Sequence, residues 1–208
     1  MKGIIITGGD APGIERFSSE LTGPVYIIAA DSGLDTCLEY GITPDFITGD
    51  MDSIKNKKKL SDFPSKCVKI FPKDKDETDT EIAFRLLRER GIEKTVIVGG
   101  GGGRTDHFLG IVSLFDRDYH PSVWYTAQEM IVSIDSHRVF YDMEGAGVSF
   151  FPAGNGICKM KSSGLKWNLD GLQWVKGDAG ISNKVLANPF SVEMETGRLI
   201  MIYPFKEF

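Results

Sequence analysis

From residue 3 to residue 103, short β-branched runs end one after another in glycine or aspartate, with helical periods between them. The runs are GIIITGG (3–9), VYIIAADSG (25–33), DFITGD (45–50), CVKIFPKD (67–74) and KTVIVGGGGG (94–103). LDTCLEYG (34–41) reads as a short helix stopped by Gly41, and HFLGIVSLF (107–115) as a helical apolar segment. TDTEIAFRLLRERG (78–91) is the clearest helix: Thr78 and Glu81 match a capping box, Ile82, Ala83, Leu86 and Leu87 make an apolar face, and Gly91 ends it. Strands alternating with helices in this way imply a mostly parallel sheet covered on both faces.

From about residue 123 the pattern changes. SVWYTAQ, EMIVSID, HRVFYDM, GVSFFPA, GICKMKS, GLQWVKG, FSVEMET and RLIMIYP are short β-rich runs separated by Gly, Asn, Asp and Pro, and METGRL reads as a hairpin turn. No helical period occurs there, so this part reads as an antiparallel sandwich or barrel. The expected organisation is an α/β domain over residues 1–126 with a mostly parallel sheet, then an all-β sandwich domain over 127–208.

Lys and Arg number 24 against 29 Asp and Glu, a net charge of −5, which argues against a nucleic-acid partner. The run Lys55, Lys57, Lys58, Lys59 reads as a solvated surface stretch. Cys37, Cys67 and Cys158 are odd in number, far apart and without CxxC spacing, as expected of a protein kept in a reducing, cytoplasmic compartment. No run approaches the ~18 apolar residues of a membrane helix, and the opening MKGIIITGG lacks a signal-peptide pattern.

Polar residues that could carry chemistry fall at the expected strand ends. Asp31 follows IIAA, Asp50 and Asp52 follow FIT, Asp79 opens the 78–91 helix, and Arg104, Asp106 and His107 follow VIVGGGGG. In an open parallel sheet such positions converge on one edge, where ligands bind. Carboxylates with an arginine suit a magnesium–polyphosphate substrate, because hard oxygen ligands hold Mg²⁺ and arginine clamps phosphate. Singly, each has a plainer reading. Asp79 would complement a helix dipole, Asp31 would serve a turn, His107 would cap or pack, and GGGGGR without a following GK[ST] is not a Walker loop. Trp167 reads slightly better as core than as a platform for an aromatic ligand.

Taken together, AADSG, GITPDFITGDMDS, KDKDETDTEIA, GGGGGRTDH, GLKWNL and GISN resemble, in content and order, the thiamine pyrophosphokinase family. The resemblance spans residues about 29 to 183 and implies an α/β nucleotide-handling domain followed by a β-sandwich. It implies a homodimer, with thiamine bound where the α/β domain of one subunit meets the β-domain of the other. The implied reaction is attack of the thiamine hydroxyethyl oxygen on the β-phosphorus of ATP, giving thiamine diphosphate and AMP. By the same resemblance Asp50, Asp52 and Asp79 would hold Mg²⁺. Asp31, Ser53, Thr78 and Arg104 would complete the ATP site, with Asp52, Asp79 and Arg104 carrying catalysis. Asp106, His107, Trp167, Ser182 and Asn183 would seat thiamine. Asp50, Asp52, Asp79 and Asp106 all compete to accept the hydroxyl proton.

Three positions depart from the family pattern. Ser32 stands where a second glycine is frequent, Ile111 where many members carry asparagine, and Met51 replaces an aromatic residue within GDMDS. Two other functions fit the same carboxylates: a magnesium-dependent pyrophosphokinase or nucleotide hydrolase with another acceptor, and a non-catalytic nucleotide-binding regulator.

Overall fold

The computed structural model describes residues 1–205, which form two units, one of residues 1–114 with 121–127 and one of 115–120 with 128 onward. The first carries β1 (Lys2–Thr7), β2 (Val25–Ala30), α1 (Gly33–Glu39), β3 (Phe46–Gly49), β4 (Val68–Ile70), α2 (Asp79–Glu89), β5 (Lys94–Val98), α3 (Thr105–Leu114) and β6 (Val123–Tyr125). Its strands lie in the order β4-β3-β2-β1-β5-β6 and every adjacent pair is parallel. Ile4, Ile5 and Ile6 of central β1 are wholly buried, as expected for a parallel strand covered on both faces.

Helix α2 forms as its sequence requires. The Thr78 hydroxyl accepts from the Glu81 N–H at 3.2 Å, and the Glu81 carboxylate accepts from the Thr78 N–H at 3.0 Å. Ile82, Ala83, Phe84, Leu86 and Leu87 are buried, and the helix packs on β1, β2 and β3. Each large side chain there contributes roughly 1.5–3 kcal/mol of burial. That face fixes where the helix begins, and so where Asp79 stands. Strand β4 is shorter than the 67–74 expectation. Phe71 adds one bond to the Gly49 carbonyl at 2.9 Å, and Pro72, lacking an N–H, ends the pairing.

The second unit contains β7 (Glu129–Ile134), β8 (His137–Phe140), β9 (Gly147–Ala153), β10 (Cys158–Ser163), β11 (Gln173–Trp174), β12 (Gly180–Lys184), β13 (Phe190–Thr196) and β14 (Arg198–Pro204). They make two antiparallel four-strand sets, β12-β9-β14-β7 and β11-β10-β13-β8. Both sets supply the core through Phe150, Met160, Val192, Leu199 and Met201, with Phe140 and Phe190 stacked at 4.8 Å.

Two features differ from the expected arrangement. METGRL is not a hairpin: β13 pairs with β10 and β8, whereas β14 pairs with β7 and β9. Gly197, at φ 75°, turns the chain from one sheet to the other. A Cβ there would lie 2.8 Å from the Cys158 sulfur, so the corner is too close for any larger residue. The chain also enters the second unit before its α/β portion is finished. Arg198 donates to the carbonyls of Phe115 and Arg117 at 2.7 and 3.0 Å, and Asp116 accepts from the Gly154 N–H at 3.0 Å. Residues 115–120 are held there, and the chain then returns to form β6. Among the described residues no helix is long and apolar enough to cross a membrane.

Candidate active site

The strand order of the first unit reverses between β1 and β5. Successive connections lead from β1 outward through β2, β3 and β4, then back to β5 on its other side. At such a switch point the loops leaving the two strands diverge and open a crevice beyond their C-terminal ends. Here that crevice is a cavity of about 240 Å³, lined by Thr7, Gly8, Asp31, Thr80, Gly100 and Arg104, among others. Buried in its wall, the Thr7 and Thr80 hydroxyls hydrogen-bond at 2.7 Å. Gly100 has φ 76°, and a Cβ on it would meet the Ile111 Cδ1 at 2.3 Å. The glycine run therefore presents bare backbone to the crevice. Ile111, only 4% exposed, is an apolar wall of the crevice. Ser32 also lines the cavity, its hydroxyl resting over Gly8, where a Cβ would lie 2.2 Å away.

Three strand and helix ends bring carboxylates to one point. Asp31 follows β2, Asp50 follows β3 and Asp79 begins α2, and one oxygen from each lies within 4.8 Å of the others. Asp31 and Met51 hold left-handed backbone, φ 47° and 61°, which costs a non-glycine residue about 1–3 kcal/mol and is characteristic of functional sites. Asp31 Oδ1 is buried without a hydrogen-bond partner. The Lys75 ammonium lies 3.1 Å from Asp79 Oδ1 and 3.6 Å from Asp50 Oδ2. At Asp79 Oδ1 this is charge contact without hydrogen-bond geometry. Burial pushes the Asp79 carboxyl above its ordinary value, Lys75 opposes that, and Asp50 and Asp31 add to it.

Asp52 stands apart from this trio. Its carboxylate pairs with Lys73 at 2.5 Å and accepts from the Ser53 hydroxyl at 2.8 Å. The hydrogen bond from Lys73 chiefly holds its pKa down at about 2. Ser53 and Thr78 both line the cavity, the Thr78 hydroxyl already engaged in the α2 cap. Arg104 grips Asp106 through two bonds, 3.1 and 2.5 Å, and both side chains are exposed. That grip lowers the Asp106 carboxyl to about 2. His107 lines the cavity and gives its backbone N–H to Asp106 at 3.0 Å. Neither Lys73 nor Lys75 is among the residues expected from sequence. Reading KDETD from Lys75 to Asp79 would have placed a lysine one helical turn before a site carboxylate.

In the second unit, Trp167 is 54% exposed instead of core, with the Lys166 ammonium 4.4 Å from its ring centre. Asn183 is 4% exposed and spent on backbone. It donates to the Trp167 carbonyl at 2.6 Å and accepts from the N–H groups of Trp167 and Lys184 at 3.2 and 2.8 Å. Ser182 is exposed at φ 60°, and its N–H donates to the Ser149 hydroxyl at 3.1 Å. Asn183 thus fixes the loop that displays Trp167.

Comparison with known proteins places these units in context. Residues 17–123 match the family described as thiamin pyrophosphokinase, catalytic domain, and residues 132–199 match thiamin pyrophosphokinase, vitamin B1 binding domain. The chain is 28% identical to a thiamine pyrophosphokinase of Bacillus subtilis over 212 residues, covering 95% of this chain and 96% of that one. It is similar in structure to thiamine pyrophosphokinase from Bacillus subtilis (TM-score 0.80, 24% identity, all of both chains). It is also similar to that from Geobacillus thermodenitrificans (TM-score 0.76, 25% identity, 100% and 99% covered).

Proposed function

Since the chain belongs to the thiamine pyrophosphokinase family, whose reaction is ATP-dependent pyrophosphoryl transfer to thiamine, we propose that its switch-point crevice binds ATP with Mg²⁺ beside Asp31, Asp50 and Asp79. The carrying observation is the convergence of three carboxylates on one point, with a buried Asp31 oxygen that has no protein partner. An all-oxygen, anionic donor set of this kind fits a hard cation such as Mg²⁺. Bound there, the ion supplies positive charge against the phosphate oxygens.

The remaining work falls to the chain. The glycine backbone after β5 admits the triphosphate closely, and the Thr7–Thr80 hydroxyl pair borders it. Arg104 already binds a carboxylate through two parallel bonds, the geometry with which it would clamp phosphate as charge spreads in the transition state. Asp52, ionised throughout the working range, would join the phosphate-bound ion from the rim with Ser53 beside it. The depressed values at Asp52 and Asp106 make both poor acceptors for the thiamine hydroxyl proton. The exposed face of Trp167 suits an aromatic ring, with Asn183 as the support of the loop that displays it. We read the enzyme as a cytoplasmic homodimer without nucleic-acid or membrane partners. Its unpaired cysteines and acidic balance support the compartment and the lack of nucleic acid.

The test is AMP release from ATP and Mg²⁺, with and without thiamine. AMP formed only with thiamine, together with thiamine diphosphate, supports the reading. AMP formed without thiamine would indicate a hydrolase, and nucleotide binding without turnover a regulator.

A further inference from the structure

Lys75 occupies an unusual place for a lysine. Its side chain is 15% exposed, and its ammonium stands between two of the three converging carboxylates, 3.1 Å from Asp79 and 3.6 Å from Asp50. Three carboxylates within 4.8 Å repel one another, and a half-buried setting weakens solvent screening of that repulsion. One ammonium relieves it only in part. Asp31 Oδ1 remains buried and without a hydrogen bond, which a purely structural ion-pair network would leave unexplained. The lysine therefore neutralises the cluster without completing it.

The position also has a consequence for loading. A divalent cation held by Asp50 and Asp79 would lie against the Lys75 ammonium, and the two positive charges cannot both keep these oxygens at contact distance. One has to yield. Lys75 sits on the loop before α2 at the end of a four-carbon stem, so it can swing away, and it then needs another anion. A nucleotide phosphate in the adjoining crevice provides one, whereas water and dilute chloride do so poorly.

We propose that Lys75 is a tethered counter-ion that holds Asp50 and Asp79 together in the unloaded enzyme and competes with the divalent cation for them, so that metal enters with nucleotide instead of ahead of it. The proposal rests on the metal reading given above. Lys75 is accordingly a positioning residue. Its removal raises the affinity of the nucleotide-free protein for metal, opposite in sign to the effect of structural damage.

The experiment titrates the full chain with Mn²⁺, followed by electron paramagnetic resonance, for the wild type, Lys75→Met and Lys75→Arg, without nucleotide and then with ATP. Expected is a nucleotide-free Mn²⁺ affinity at least about tenfold tighter in Lys75→Met than in the wild type. Lys75→Arg, which keeps the charge, stays near the wild type, and ATP narrows the difference. Should Lys75→Met be too unstable alone, Lys75→Gln and Mn²⁺-dependent thermal shifts provide the same comparison, with the larger shift expected in the uncharged variant. An affinity or shift in Lys75→Met or Lys75→Gln equal to or below that of the wild type overturns the proposal. If Mn²⁺ still binds with ATP in the wild type and Asp79→Asn weakens it, only the role of Lys75 has failed. If no protein takes up Mn²⁺ even with ATP, the metal reading has failed with it.

Discussion

Asn183 and Trp167 are joined by two hydrogen bonds, the Asn183 amide donating to the Trp167 carbonyl at 2.6 Å and accepting its N–H at 3.2 Å. The amide lies buried at the β12 bulge, while the indole it supports stands in solvent. A side chain with no outward face thereby fixes the backbone of one that faces solvent.

Replacing Asn183 with alanine leaves the Trp167 backbone groups without their partner. We expect a stability loss of roughly 2 kcal/mol, or about 5 °C in melting temperature. The KM for thiamine should rise by more than kcat falls, because the chemistry lies elsewhere. Thermal unfolding with steady-state kinetics checks this. An unchanged thiamine KM would remove Trp167 from the acceptor site.

Asp79→Asn exchanges an anionic oxygen, which the proposed reading assigns to the cation, for a neutral one. Pyrophosphoryl transfer should fall at least about a hundredfold. With the like charge gone, the nucleotide-free fold should lose little stability. Asp62→Asn, in an exposed pair with Lys59, serves as the control and should retain full activity. Equal activity in the two variants would dissociate the trio from catalysis.

Ile111→Asn tests the apolar wall opposite Gly100. An asparagine at this position would be nearly buried, and we expect about 1–3 kcal/mol of destabilisation for an amide lacking a partner. Denaturant unfolding measures it. A neutral result combined with a lower ATP KM would mean that the crevice already holds a partner for that amide.

The His120 ring is half-buried: its Nδ1 is 3.0 Å from the Asp118 carbonyl, Nε2 is 3.9 Å from Asp135, and the Arg198 charge is nearby. Burial holds its pKa below the ordinary 6.5. The unfolded chain therefore takes up the proton first as pH falls, and stability is lost downward from about 6.5 toward the lower folded value. Melting temperature measured from about pH 8 to pH 5.5 should decline, and His120→Gln should decline less. Equal slopes would place the acid sensitivity in other groups.

Local chemistry revealed the first unit most clearly. The cap of α2 is written in Thr78 and Glu81, and the carboxylates stand at strand ends because runs such as VYIIAA and FIT must stop somewhere. Long-range choices were less legible. METGRL has the composition of a hairpin, yet the pairing of β14 with β7 and β9 depends on which sheet has room, and no local pattern encodes that. Composition slightly favours core for Trp167, since a large ring is usually buried, and the family resemblance favours a ligand contact; its exposure goes with a buried asparagine sixteen residues away. The place of Lys75 between Asp50 and Asp79 depends on the path of the loop before α2, which the run KDKDETD does not encode. The return of residues 115–120 to the second unit likewise depends on Arg198, far along the chain.

Strand β14 forms the middle of its set, bonded on one side to β7 and on the other to β9. During synthesis β7 and β9 emerge well before it and have no direct pairing with each other to fall back on. The sheet of the first unit has every strand it needs by residue 125, whereas this set stays open until residues 198–204 leave the ribosome. A chain interrupted between those points would carry a finished crevice in its first unit and, in its second, a gap flanked by two unpaired strand edges. Quality control would then fall on those two strand edges, and an arrested product would be recognised by what its last strand failed to close.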